Sequence, residues 1–191
     1  TVANNVTTFI DVTTFALDAN KNFIIANGVN VNKVSLNGTV TIIAGNGNKG
    51  FGGDGGKATA ATLNYPVGVA VDGMGNIFIA DAGNHRIRKV DVNGIITTVA
   101  GKGIQGFSGD GGLATSASLN FPWSIAIDAA NNLFIADFGN GSIRKVSTTS
   151  VITTIAGNGS SDRGGGFGDG GQANLATLYR PKTLAIDAAG S

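Results

Sequence analysis

The stretch "PVGVAVDGMGNIFIADAGNHRIRKVDVNGIITTVAG", Pro66 to Gly101, decides how the chain folds. Its hydrophobic period is close to two. "PVGVAVD" reads as one strand and "GMGN" as the turn after it. "IFIAD" is a second strand, followed by the turn "AGNH". "RIRKVD" is a third, "VNG" turns again, and "IITTVAG" is the fourth. Short β-branched runs bounded by Gly, Asn and Asp predict successive antiparallel hairpins.

Outward from this stretch the same unit recurs. Ala44, Ala100 and Ala156 hold the same place in "TIIAGNG", "TTVAGKG" and "TTIAGNG", at two equal intervals of 56 residues. Asp72 and Asp128 close "VAVD" and "IAID" at the same interval, and Asp187 closes "LAID" 59 residues later. Extra loop residues around Ser160 to Arg163 account for the longer step. Four antiparallel strands plus a long connector, repeated, read as propeller blades. The expected fold is all-β, with blades at about 13–44, 67–100 and 123–156 and partial strands at 6–10 and 183–187.

Composition agrees. All twelve acidic residues are Asp, and the chain carries 31 Gly but only 3 Pro. Asp and Gly suit turns and strand ends, whereas the missing Glu is a helix former. The 42% hydrophobic content is enough for a core, and the net charge of +1 points to neither nucleic acid nor an anionic membrane surface. With no cysteine, disulfides and thiol chemistry are excluded. No apolar run reaches the ~18 residues of a membrane span, and "TVANNVTT" carries no signal-peptide pattern.

"GVAVDGMGNIFIADAGNHRIRKVD" (Gly68 to Asp91) and "SIAIDAANNLFIADFGNGSIRKVS" (Ser124 to Ser147) resemble NHL repeats. The connector "AGxG…GF(S/G)GDGG…A…L..P" is similar to the long linkers of NHL arrays in bacterial secreted and surface proteins. That resemblance implies a β-propeller. It leaves function open, because protein-binding, RNA-binding, lyase and architectural members share the fold.

The first repeat departs from the others. Asn27 stands where Asp81 and Asp137 stand later, its second turn is about two residues shorter, and no Gly-Asp-Gly-Gly connector precedes it. The chain opens instead with "VTTFID". Val6, Thr7, Thr8, Phe9 and Ile10 match a fourth strand whose parent blade is elsewhere, and so form a candidate assembly strand. Three blades with a stray strand at either end do not close a ring, since propellers usually have about four to eight. Unpaired edges then call for further repeats of the same chain, or for a homo-oligomer or filament.

The connectors repeat as "GFGGDGG", "GFSGDGG" and "GFGDGG". Asp54, Asp110 and Asp169 are weak calcium candidates. Each loop offers one carboxylate, whereas calcium takes about six to eight oxygens. The competing expectation is architectural: Asp bonds nearby backbone amides while the glycines turn the chain. Ala58, Ala61 and Leu63 recur as Ala114, Ala117 and Leu119, then as Ala173, Ala176 and Leu178. This spacing predicts a helical turn tucked against the blade before Pro66, Pro122 or Pro181 starts the next strand.

Binding-face candidates are Asp81, Asn84, His85 and Arg86, with Asp137 and Asn140, because the turn between the second and third strands shares an end with the connectors. The Arg residues of "RIRKV" and "IRKV" are expected on a solvated face. His85 is the only histidine, and a zinc site normally draws on two or three, so no metal, catalytic residue or cofactor is assigned. Asn5, Asn37, Asn140 and Asn158 are candidate glycosylation acceptors. The expected function is a non-catalytic extracellular or cell-surface scaffold or binding module for protein or self, with no nucleic acid, no membrane span and glycan a candidate. The alternative is part of a propeller lyase or lactonase whose catalytic residues lie on other blades.

Overall fold

A computed structural model describes residues 14–161 and 168–187 of the chain. Three four-stranded sheets account for its strands, each in sequence order. The first holds β1 (Phe15–Leu17), β2 (Phe23–Asn27), β3 (Asn30–Val34) and β4 (Val40–Ala44). The second holds β5 (Pro66–Val71), β6 (Ile77–Asp81), β7 (Arg86–Val90) and β8 (Ile96–Ala100). The third holds β9 (Pro122–Ile127), β10 (Leu133–Asp137), β11 (Ser142–Val146) and β12 (Ile152–Ala156). All pairings are antiparallel, and equivalent residues share one register: Ile25 faces Asn32, Ile79 faces Arg88, and Ile135 faces Arg144.

The period of two explains the packing. Successive side chains of a strand point to opposite faces, so a blade between two others must be apolar on both. Val69, Ile79, Val90 and Ile96 of the second sheet pack against Ile24, Ala26, Val31 and Ala44 of the first. Val67, Ala80, Ile87 and Ala100, from its other face, pack against Ile125, Ile135, Val146 and Ile152 of the third. The sheets approach closest at their first strands. A Cβ on Gly68 of β5 would lie 2.5 Å from the Trp123 carbonyl oxygen at the start of β9, and only glycine fits there.

The connectors are folded. Each contains a 3₁₀ turn, at Ala58–Ala60, Ala114–Ser116 and Ala173–Leu175. Ala58, Ala61 and Leu63 are buried between the first two sheets, and Ala114, Ala117 and Leu119 between the second and third. The connector then runs along the outer strand of the following blade. Gly55 N donates to Ile96 O (2.8 Å), Ile96 N to Gly56 O (3.0 Å), and Ala58 N to Gly94 O (2.8 Å). Gly111, Gly112 and Ala114 repeat this pattern on Ile152 and Ser150 of the third blade.

At the opposite end the hairpins close on Asp side chains. Asp72 Oδ1 accepts from the amides of Met74 (3.0 Å) and Asn76 (2.8 Å), and Asp18 and Asp128 hold Asn22 and Asn132 in the same way. The side-chain hydrogen bonds from Asn22 and Asn132 hold the Asp18 and Asp128 carboxyls below their ordinary range.

One expectation is corrected here. Residues 183–187 form no ladder, because a first strand becomes a strand by bonding to a second and no described residue supplies that partner. The candidate strand Val6–Ile10 lies outside the described residues.

Candidate functional site

The turn between the second and third strands of blades two and three is longer than a simple hairpin for a reason visible in its bonds. After β6 the chain makes a 3₁₀ turn, Ala82–Asn84, closed by His85 in the left-handed region at φ 54°. After β10 it repeats with Phe138–Asn140 and Gly141 at φ 55°. This bend carries Asn84 Nδ2 to Asp81 Oδ2 (2.7 Å) and to the carbonyl of Gly50 in the connector (2.8 Å). Asn140 makes the same two bonds, to Asp137 and Gly106.

Beneath the turn lies a fully buried arginine. Arg88 and Arg144 are 0% exposed, which corrects the expected solvated face: both lie under the connector loop. Arg88 donates to Asp54 Oδ1 through Nε (3.0 Å) and Nη2 (2.6 Å), to the Gly52 carbonyl (3.2 Å), and through Nη1 to Asp81 Oδ2 (3.3 Å). Arg144 Nη2 donates to Asp110 (2.6 Å) and to the Ser108 carbonyl (3.1 Å), and its Nη1 lies 3.5 Å from Asp137. Phe51 and Phe107 lie against the guanidinium carbons at 4.8 and 4.9 Å.

The loop aspartates thus do something other than bond the amides beside them. Asp54 takes the guanidinium and the Thr98 hydroxyl (2.7 Å). Asp110 takes the guanidinium and the amide of Thr154 (3.1 Å). The loop of one connector therefore grips the third and fourth strands of the next blade. Gly53 at φ 89° and Gly109 at φ 97° let the loop lie on Ala61 and Ala117, where a Cβ would come within 2.8 Å. The second clamp is looser, since Arg144 Nε and Thr154 Oγ1 are buried without a hydrogen-bond partner.

Electrostatics follow from burial. Asp81 and Asp137 are 0% exposed, and burial pushes both carboxyls up to about 6 against the pull of their hydrogen bonds and Arg partners. Burial also raises the Asp110 carboxyl, but hydrogen bonds from Thr154 and Arg144 outweigh it and leave it low. His85 is lowered by burial and by the Arg86 charge. Its Nδ1 accepts the amide of Phe121 (3.1 Å).

The candidates thus divide. Asp81, Asp137 and Asn140 are sealed inside the clamps, Asn84 bridges turn and connector, and His85 and Arg86 reach the surface of the connector face. Arg86 lies on the Phe51 ring at 3.8 Å and bonds the Lys102 carbonyl. Asp54 and Asp110 are tied to arginine, Asp169 lies exposed in its loop, and no cluster of three His or Asp residues placed to hold a metal occurs among the described residues. Of the sequons, Asn37 and Asn158 are exposed, Asn140 is buried with its amide engaged, and Asn5 lies outside the described residues. No helix among the described residues is long and apolar enough to cross a membrane.

The sequence reading missed the buried arginines. It also missed a ring of aromatic and cationic residues beside the prolines. Tyr65, Phe121 and Arg180, each just before a proline, have φ of 52°, 51° and 46°. Strand alternation gives no signal for them, but their shared place before Pro66, Pro122 and Pro181 does.

The family model described as the Teneurin NHL domain matches residues 13–108, and that of the NHL repeat matches residues 119–146. Teneurin-1 of Gallus gallus is 34% identical over 130 residues, covering 62% of this chain and 5% of that protein. A structural-genomics protein of unknown function from Bacteroides thetaiotaomicron superimposes with a TM-score of 0.66 at 19% identity, over 88% of this chain and 40% of its own. A streptogramin B lyase does so with a TM-score of 0.52 at 11% identity, over 76% and 41%. The chain thus spans about one twentieth of the chicken teneurin and under half of either solved structure, which show the shared fold. With its three sheets, its repeat spacing and these matches, the chain belongs to the NHL-repeat family of the teneurin NHL domain.

Proposed function

We propose that the chain is a non-catalytic scaffold and binding module working outside the cell or at its surface, with protein or further NHL blades as its partner. The observation that carries this reading is the fate of the polar residues. The buried carboxylates and arginines of blades two and three are occupied in holding a connector onto a blade, with both members of Asp81–Arg88 and of Asp137–Arg144 at 0% exposure. The match to the teneurin NHL domain supports the same reading.

The outer face of the first sheet, which no other described sheet covers, indicates what kind of partner fits. Phe15, Leu17 and Phe23 are exposed at 58, 46 and 40%, and the two phenylalanine rings meet edge to face at 5.4 Å. By register, their counterparts in the second sheet are Val69, Val71 and Ile77, which pack on the first sheet. The face thus matches a preceding blade. At the other end, the Asp169 loop suits a following blade with Asp and Arg at the Asp81 and Arg88 positions. Blade one carries Asn27 and Asn32 there, so additional repeats fit that end better than the first blade of a second copy.

Sedimentation velocity over a concentration series tests the reading. Association of the 191-residue chain that is abolished by Phe23→Asp supports it. A monomer at every concentration that turns over a lactone or a streptogramin, with turnover lost in His85→Ala, overturns it.

A further inference from the structure

On the connector face, the inner ends of the blades differ chemically from the outer. Tyr65 of the first connector lies 6.5 Å from Phe121 and 6.3 Å from Trp123, and Trp123 lies 5.0 Å from Phe138. Lys182 Nζ stands 5.5 Å from the Trp123 ring and 5.9 Å from Phe138, and the Arg180 guanidinium 5.5 Å from Phe138. Neither cation forms a salt bridge among the described residues. The accessible carboxylates of blades two and three at this end, Asp54 and Asp110, sit over the third and fourth strands bound to Arg88 and Arg144, and Asp81 and Asp137 are buried against the same arginines. Asp169 occupies the same place in its own connector. The inner end is therefore aromatic and positive.

The backbone adds an independent observation. Tyr65, Phe121 and Arg180 hold positive φ immediately before a proline, a costly conformation for a bulky residue. It is kept at three equivalent positions. In the first two it carries an aromatic ring across to the neighbouring blade, Tyr65 to Trp123 and Phe121 to His85, and Tyr65 stays 37% exposed.

We propose that this patch of Tyr65, Phe121, Trp123, Phe138, Arg180 and Lys182 is a binding site for an acidic sugar, a uronate-type residue of a glycan. This rests on the reading of the chain as a binding module and names a ligand for its connector face. The ligand must place a negative charge within one ring's width of an apolar face, because both cations stand beside the Phe138 ring. A pyranose bearing a carboxylate does so: its C–H face packs on the electron-rich ring faces while the carboxylate meets Arg180 and Lys182. A flat nucleobase fits less well. The rings are tilted at 32 to 68° to one another and form no parallel slot. A flexible acidic peptide has no rigid apolar face next to its charge.

Trp123 is the only tryptophan in the chain, so its fluorescence reports from inside the site. The full chain is titrated with a tetrasaccharide of alternating glucuronate and N-acetylglucosamine, with neutral chitotetraose, and with a uridine oligonucleotide. The expected result is a saturable Trp123 change with the acidic sugar alone. It should weaken with added salt, and by about tenfold or more in Lys182→Gln with Arg180→Gln, where charge is lost and both side chains start at the surface. Tyr65→Ala should weaken binding without removing its salt dependence. No response to the acidic sugar, an equal response to chitotetraose, or a response to the oligonucleotide alone overturns the proposal. Concentration-dependent association in the sedimentation experiment stands or falls separately, because it depends on the outer face of the first sheet rather than on this patch.

Discussion

Blade one and blades two and three share strand register, turn order and core, yet differ in one set of residues. Where blade two has Asp81 and Arg88, blade one has Asn27 and Asn32. Blade one also makes its second turn without the 3₁₀ segment that carries Asn84 or Asn140. The strand aspartate, the buried arginine and the turn asparagine are present together or missing together. They act as one device, and Asn32, 4% exposed, shows that the interior position tolerates a neutral group once the charged partners are gone.

The most severe way to break this comparison is Arg88→Ala. It leaves Asp81 buried without its cation and should cost on the order of 3–5 kcal/mol in urea denaturation, whereas Asn32→Ala in blade one should cost about 1 kcal/mol. Replacing the pair together, Asp81→Asn with Arg88→Asn, copies blade one and should restore part of the loss. If the double variant is less stable than Arg88→Ala, the parts are not one device.

The shared core should respond next. Ile135 is fully buried, and Ile135→Ala should cost about 2–5 kcal/mol. Ile25, at the same register position on the outer face, should cost clearly less. Equal losses in the two melts would show that the face of the first sheet is covered.

A smaller effect is expected for Asp110→Asn, about 1–2 kcal/mol, because the carboxylate is 47% exposed and solvent screens its pairing with Arg144. Added calcium should leave the melting temperature of the wild-type chain unchanged. Calcium-dependent stabilisation lost in Asp110→Asn would assign the loops to metal.

The smallest expected effect is on pH dependence. Burial raises Asp81 and Asp137 to about 6, so the folded chain binds these protons more tightly than the unfolded chain. Their contribution favours folding as pH falls through 6 and levels off near the unfolded value of about 4. Asp18, Asp110 and Asp128 are lowered and act in the opposite direction, losing their contribution as pH falls through about 4 and below. The melting temperature should thus hold or rise slightly from pH 7 to 5 and drop below 4. Asp81→Asn with Asp137→Asn should flatten the first limb, whereas Asn27→Ala should not alter it.

These differences show which parts of the molecule were legible in the sequence. The strands were, because alternation in "IFIAD" and "LFIAD" reports directly on two-sided burial, and three four-stranded antiparallel sheets result. The connector helices were legible as well, through Ala58, Ala61 and Leu63. The clamps were not. A charged residue in an alternating strand normally marks solvent, and Arg88 carries no local sign that a loop 34 residues earlier folds over it. The sign is non-local: Asp54 to Arg88 and Asp110 to Arg144 are both 34 residues apart, and blade one has Asn32 at the arginine position. The patch around Trp123 escaped for a related reason, since its members are adjacent in space but come from separate repeats.

The connector that runs along β8 and β12 also bears on how crowded chains behave. An outer strand with free amides and carbonyls invites a strand from any neighbour, which is how soluble sheets begin to aggregate. Here Gly55, Gly56 and Ala58 occupy positions along β8, and Gly111, Gly112 and Ala114 do the same for β12. Among the described residues, no connector covers β4 in this way. Blades two and three can therefore be packed densely at a surface without zipping to their neighbours edge to edge.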